Sequence, residues 1–487
     1  MKIITRFLVI TAIVFGPVAA RSQEPDGLTH LHSENGELST TLVATEGKIR
    51  VGALELDGIT YNGDYAGPVL HVHPGDTLRL HLVNHLSQPT NLHFHGMRGS
   101  PLGNGDNAHI LLQPNSSFDY AMRIPASQPV GLYWFHAHAH HFAERQIMGG
   151  LSGTILVEKA EPSAMTQRLF VLKDMVFEDD TGNPDIDGPL HSVVQSVNGK
   201  LLTREAMRPG ETQLWRITNQ SANRRLHIAL QDHQFRIVGR DGEPVLGAPL
   251  VDDLDLPPGN RFDVEVASGA PGQYKLSVKG LMTGTGTDRS PDRTIGYLDT
   301  SGDPFEGTFV SKSETLPPDL STATIGEKRV MVFSQSKADK HGNQDFFIND
   351  KMYDEARMDV RARLGDIEEW TIRNDTDDMH AFHIHQIGFQ VVEIDGKPVP
   401  FTGYVDVIRI PERGEVKVRL PFTDPLIVGR FMFHCHVLKH EDKGMMANIE
   451  IYDPRPPTLA ERVNHLYLHV VWWWHGVPWT QCGLTDI

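Results

Sequence analysis

The stretch "HPGDTLRLHLVN", His73 to Asn84, joins a Gly-acid turn to a run in which Leu78, Leu80 and Leu82 fall at every second position. A period of two is the mark of a β-strand with one buried face. The same pattern returns as "RPGETQLWRITN", Arg208 to Asn219, and as "RLGDIEEWTIRN", Arg363 to Asn374. Each copy has Gly followed by an acid, then a strand ending in Asn. Upstream of each lies a similar turn: "TYNG" at Thr60 to Gly63, "SVNG" at Ser196 to Gly199 and "FIND" at Phe347 to Asp350. The three glycines Gly75, Gly210 and Gly365 are 135 and 155 residues apart, which are domain-sized intervals.

Working outward from these copies, the chain reads as all-β, with three consecutive β domains. Regular Gly, Pro, Asn and Asp turns between short alternating runs predict Greek-key sandwiches or barrels. Domain one is placed at 35–158, domain two at 165–310 and domain three at 325–453. Ser311 to Lys328 is read as a linker. The totals of 44 Gly and 31 Pro among 487 residues agree with many turns rather than long helices.

The formal charge is −17, which argues against nucleic acid and anionic membrane surfaces as partners. The N-terminus, "MKIITRFLVITAIVFGPVAARSQEP", has Lys2 and Arg6, an apolar run from Phe7 to Phe15 and the small residues Ala19 and Ala20. It reads as a signal peptide over residues 1–20, so export to the periplasm or beyond is expected. No stretch predicts stable membrane insertion. Only two cysteines are present, Cys435 and Cys482, and both are expected to be unpaired.

Chemistry concentrates in four His-x-His pairs: His93/His95, His136/His138, His383/His385 and His434/His436. In a strand, residues two apart share a face, so each pair offers two imidazoles to one pocket. Cys435 lies between His434 and His436 and points the other way. His380, three residues before His383, also falls on the opposite face. His440 and Met445, from the loop after Cys435, can complete a second pocket of two histidines, a cysteine and a methionine. That donor set suits a type 1 copper with Met445 as weak axial ligand; zinc is the rival metal and suits a long thioether poorly. Eight imidazoles in the first pocket suit a cluster of redox metal. The middle copy keeps the strand pattern in "RRLHIALQDHQFRIVGRDG", Arg224 to Gly242, but has no His-x-His pair. His227 and His233 are therefore read as packing or surface residues.

The motifs "HFHG", "HAH", "HAFHIH" and "HCHVLKHEDKGM", in this order, resemble those of three-domain multicopper oxidases of the bacterial laccase-like group. The resemblance spans about residues 35–453 and implies cupredoxin-like domains. It implies four coppers. His380, Cys435, His440 and Met445 would hold type 1 copper, and His93 and His383 type 2. His95, His136, His138, His385, His434 and His436 would hold the type 3 pair. It also implies single-electron removal from a reducing substrate and reduction of dioxygen to water. The family's usual His-Pro is His380-Ala381 here, and the common Trp of the first motif is Phe94; neither removes a ligand.

Asp106 in "GNGDNAH" and Glu441 beside His440 sit where relatives carry acids that serve oxygen reduction, and both are expected to relay protons. The donor is expected near His440: a phenol, an aromatic amine or a metal ion. A Cu(I) oxidase role is the alternative, and a copper-free structural protein on the same fold is the remote one. Methionines before the third motif are sparse (Met352, Met358 and Met379), which weakens the Cu(I) role. Asp377 and Asp378 could attract a donor or simply be solvated. His30/His32 and His71/His73 match no ligand motif and are read as packing or surface groups. His140 and His141 extend the second motif without being assigned as ligands. The tail from Pro454 to Ile487 has no assigned role and is expected to be dispensable. The sequence leaves the oligomeric state open.

Overall fold

The computed structural model describes residues 21–23, 26–161, 163–176, 193–282, 289–290, 292–307, 315–340 and 343–456. The signal peptide, Cys482 and the tail beyond Pro456 lie outside the described residues.

The molecule is all-β, and its larger sheets come in three pairs. A four-stranded sheet (Leu54–Tyr61, Glu37–Val51, Thr77–Asn84, Ser117–Arg123) faces a six-stranded one that contains Val69–Val72, Ser152–Val157, Gly131–His136 and His93–His95. The middle pair has seven and five strands, and the last has six and five. Each pair encloses its own apolar core. Leu78, Leu80 and Leu82 lie in the first, Trp215 and Ile217 in the second, and Trp370 and Ile372 in the third.

The repeated segment has a clear structural job. In all three copies its strand runs parallel to an earlier one: Glu37–Val51 with Thr77–Asn84, Gln167–Val176 with Thr212–Asn219, and Glu327–Gln335 with Ile367–Asn374. Gly75, Gly210 and Gly365 all have positive φ (98°, 78° and 100°), which a residue without Cβ adopts freely. The terminal Asn ties down the loop that follows. Asn84 Nδ2 donates to the carbonyls of Gln88 and Leu112, Asn219 to those of Arg224 and Leu256, and Asn374 to those of Asp378 and Pro411. Each of these Asn side chains also accepts from the N–H two residues on. The upstream turn is equally regular. Asn62, Asn198 and Asn349 have φ near the left-handed region, and each side-chain oxygen accepts from the parallel strand's partner: Val43, Val171 and Val332. Polar side chains that satisfy backbone groups in this way, buried at the strand-terminal Asn84, Asn219 and Asn374 and exposed at the turn residues Asn62 and Asn349, explain why the pattern is kept in all three copies.

Register sets the site. In the last domain His380–Ile384 pairs antiparallel with Gly429–Cys435, placing Phe382 opposite Cys435 and His383 opposite His434. In the first domain His93–His95 pairs with Gly131–His136, placing His93 opposite His136. Among the described residues no helix is long and apolar enough to cross a membrane.

Candidate metal centre

Four segments from the first and last domains bring eleven of the twelve expected ligands into two buried groups. The smaller group contains His380, Cys435 and His440. Cys435 Sγ lies 3.4 Å from His380 Nδ1 and 3.6 Å from His440 Nδ1, and the two ring nitrogens are 3.1 Å apart. The Thr376 hydroxyl bonds His380 Nε2 at 2.9 Å, so Nδ1 is the nitrogen turned to the sulfur. His440 is carried on a short helix, Leu438–Asp442, where the sequence suggested a loop. The Phe346 ring stacks on His440 with centroids 4.2 Å apart. Met445 is fully buried in the same core as Cys435, whose N–H bonds the Met445 carbonyl at 3.1 Å.

Burial pushes the Cys435 thiol up to about 12 and the His380 imidazolium down to about 3. A neutral thiol facing two neutral imidazole nitrogens gains little. A soft cation would draw off the thiol proton and satisfy all three donors, so these residues fit copper bound in this group.

The larger group contains His93, His95, His136, His138, His383, His385 and His434, with His436 against His95. Nitrogens face nitrogens throughout: His138 Nε2 to His434 Nε2 at 3.1 Å, His385 Nε2 to His434 Nε2 at 3.2 Å, His436 Nε2 to His95 Nδ1 at 3.2 Å and His383 Nε2 to His93 Nε2 at 3.5 Å. His136 Nε2, His138 Nδ1, His385 Nδ1 and His436 Nδ1 are buried without a hydrogen-bond partner. Burial, and then mutual repulsion of neighbouring rings, holds His93, His383 and His385 well below the ordinary imidazole range. Lone pairs aimed at one another in a dry pocket call for cations between them. The donor set again fits copper, which accepts imidazole well.

The outer nitrogens are fixed by the surroundings. His383 Nδ1 donates to the Asp406 carbonyl (2.8 Å), and His136 Nδ1 to the Ala137 carbonyl (2.9 Å). His93 Nδ1 bonds Asp106 Oδ1 at 3.0 Å. Asp106 also accepts from the Phe94 N–H and from Gln386 Nε2. Burial raises its carboxyl to about 7. Glu441 lies 2.9 Å from His434 Nδ1 and 3.6 Å from His138 Nε2. Burial alone would raise Glu441, but the adjacent His434 and His138 hold it at about 2.

Some nearby residues escaped the sequence reading. Asp406 Oδ1 sits 3.2 Å from His95 Nε2, and Gln386, at φ 69°, reaches Asp106. No His-x-His spacing marks either one; an acid inside the apolar "YVDVI", Tyr404 to Ile408, was the available signal. Asp377 pairs with Arg413, and Asp378 accepts from Gln335. His30 and His71 bond each other at 2.7 Å away from both groups, in keeping with a packing role. His141 Nδ1 donates to the Asp442 carbonyl rather than into the metal groups.

Comparisons with known proteins agree with this fold. Models of the multicopper oxidase family match residues 44–162, 173–302 and 324–455. The chain is 26% identical over 438 residues to multicopper oxidase mco of Staphylococcus haemolyticus, covering 86% of this chain and 89% of that one. It is 27% identical over 415 residues to cell division protein FtsP of Xenorhabdus nematophila, covering 80% and 84%. In structure it is similar to a multicopper oxidase from Campylobacter jejuni described as a metallo-oxidase. The TM-score is 0.75 with 24% identity, over 89% of this chain and 94% of the other.

Proposed function

The chain belongs to the multicopper oxidase family, and from that premise we propose an oxidase that works with four coppers in two linked sites. The observation that carries this reading is one peptide, His434-Cys435-His436, which supplies a sulfur to the smaller group and two imidazoles to the larger. His380, Cys435, His440 and Met445 are the proposed type 1 ligands. His93 and His383 are proposed for type 2. His95, His136, His138, His385, His434 and His436 are proposed for the type 3 pair. Copper held in this way supplies single-electron acceptance from a reducing substrate and reduction of dioxygen to water.

The chain's own residues do the rest. His440 is the most exposed of the twelve, at 9%, so the donor approaches on its side. Phenols, aromatic amines and metal ions remain the donor classes, with Cu(I) as the alternative. Asp106, raised by burial to about 7, is poised to take up or release a proton beside His93 near neutral pH, while Glu441 keeps a negative charge between His434 and His138. The proposed domains are 35–158, 165–310 and 325–453, with residues 1–20 removed on export and 454–487 dispensable.

The likeness to a cell division protein favours a second reading, a copper-free role on the same fold. Twelve retained donor residues, with ring nitrogens facing one another in both groups and four ring nitrogens buried without a protein partner, count against it. Copper loading followed by oxygen-uptake assays with a simple phenol, and separately with Cu(I), tests the proposal. Four coppers per chain and uptake with either donor are expected. A folded chain that takes up no copper would leave the second reading.

A further inference from the structure

The middle domain supplies none of the twelve donors, yet it reaches the larger histidine group through one loop. Arg261, at the start of strand Arg261–Ala267, is fully buried. Its guanidinium grips Asp406 of the last domain with two bonds, Nη1 to Oδ1 and Nη2 to Oδ2, both 2.7 Å. Its Nε donates to the Leu132 carbonyl of the first domain at 3.1 Å. One side chain thus fastens all three domains at a single point.

That point lies against the metal centre. Asp406 Oδ1 is 3.2 Å from His95 Nε2, and the Asp406 carbonyl accepts from His383 Nδ1. The neighbouring Asn260 donates to the Val407 carbonyl at 3.1 Å and to Asp241, so the loop is also held at the residue before Arg261. The fit leaves no slack. A Cβ on Gly96 would come within 2.3 Å of Arg261 Nη2 and 2.5 Å of Asp406 Oδ2, and one on Gly259 within 3.2 Å of both His95 and His436.

We propose that Arg261 and Asp406 are positioning residues for the trinuclear site, through which the ligand-free middle domain fixes His95 and His383. The chemistry is that of a carboxylate bonded to the outer nitrogen of a ligating imidazole. It sets the tautomer, with Nε2–H of His95 outward and Nδ1 inward, and it sets the ring plane. A bidentate guanidinium is the group best suited to hold that carboxylate in one orientation. The inference rests on the copper reading given above.

The test replaces both partners at once, Arg261→Met with Asp406→Leu, in the full-length copper-loaded chain. Apolar replacement of a buried ion pair is often tolerated by the fold. Blue absorbance and melting temperature report the type 1 site and folding. Copper per chain and the fraction of copper visible by electron paramagnetic resonance report the trinuclear site, because a coupled copper pair is silent. The expected result is unchanged blue absorbance, copper bound about 10- to 100-fold more weakly at the trinuclear site, and a changed visible fraction. Wild-type copper content and visible fraction in the folded double variant would overturn the proposal. If that chain does not fold, Arg261→Lys decides, since it keeps the charge but not the fork: the same two readouts must shift, and their constancy overturns the inference. A wild-type chain that binds no copper would instead sink the copper reading itself.

Discussion

His383 lies directly opposite His434 across two antiparallel strands, and each residue stands beside one that faces the other way: Phe382 opposite Cys435. A slip of one residue would turn Cys435 into the histidine pocket and His434 away from it. Separation of the two metal groups is therefore a property of strand register.

Cys435→Ser tests that separation. Its sulfur lies 3.4 Å from His380 Nδ1 and 3.6 Å from His440 Nδ1. The variant is expected to lose its blue absorbance and its oxidation of donors. It should keep the copper bound by the eight imidazoles, giving three ions per chain by elemental analysis. Loss of all copper would mean that the two groups are not separable.

Met445→Leu should leave copper content unchanged and raise the reduction potential of the type 1 site, because the axial ligand tunes that potential. Redox titration of the blue absorbance reads the result. An unchanged potential would remove Met445 from the ligand set.

Asp106→Asn keeps the size of a side chain bonded to His93 Nδ1, the Phe94 N–H and Gln386. Four coppers should remain, while oxygen reduction slows by about 10- to 100-fold, as expected for a group acting next to a ligand. Single-turnover reoxidation of the reduced protein separates this from slow donor oxidation. Reoxidation at the wild-type rate would exclude a role for the acid.

Lys173 gives a pH test of stability. It is buried with Nζ donating to the Tyr65 carbonyl at 2.7 Å, and burial lowers it from 10.5 to about 7. Between those values the unfolded chain holds a proton that the folded chain does not, so this group's contribution becomes more favourable as pH rises. Lys173→Met removes the effect. Its stability relative to wild type should fall with rising pH, by up to roughly 5 kcal/mol across the full window. Denaturant melts of metal-free protein from pH 6.5 to 9.5 measure the trend. A difference independent of pH would show that Lys173 titrates alike in both states.

The three Gly-acid copies and their terminal Asn residues announced the fold because each performs the same local task in every domain. A positive-φ turn and a loop tied by Asn84, Asn219 or Asn374 are short-range features, and a short-range feature leaves a mark in sequence. The His-x-His pairs were legible for the same reason, since strand parity assigns faces. The surroundings of the metal groups were not. Asp406 approaches His95 from 311 residues away, and Arg261 meets Asp406 across 145. Such contacts depend on how three domains pack, which no local spacing encodes.

The most direct test of the proposed chemistry counts electrons per dioxygen. Copper-loaded protein oxidises a simple one-electron phenolic donor in a sealed oxygen-electrode cell, and donor consumed is compared with dioxygen consumed. Reduction to water at the histidine cluster requires four donor molecules for each dioxygen. A ratio of two, with hydrogen peroxide accumulating, would contradict the proposal that the eight imidazoles house a cluster able to complete the reduction.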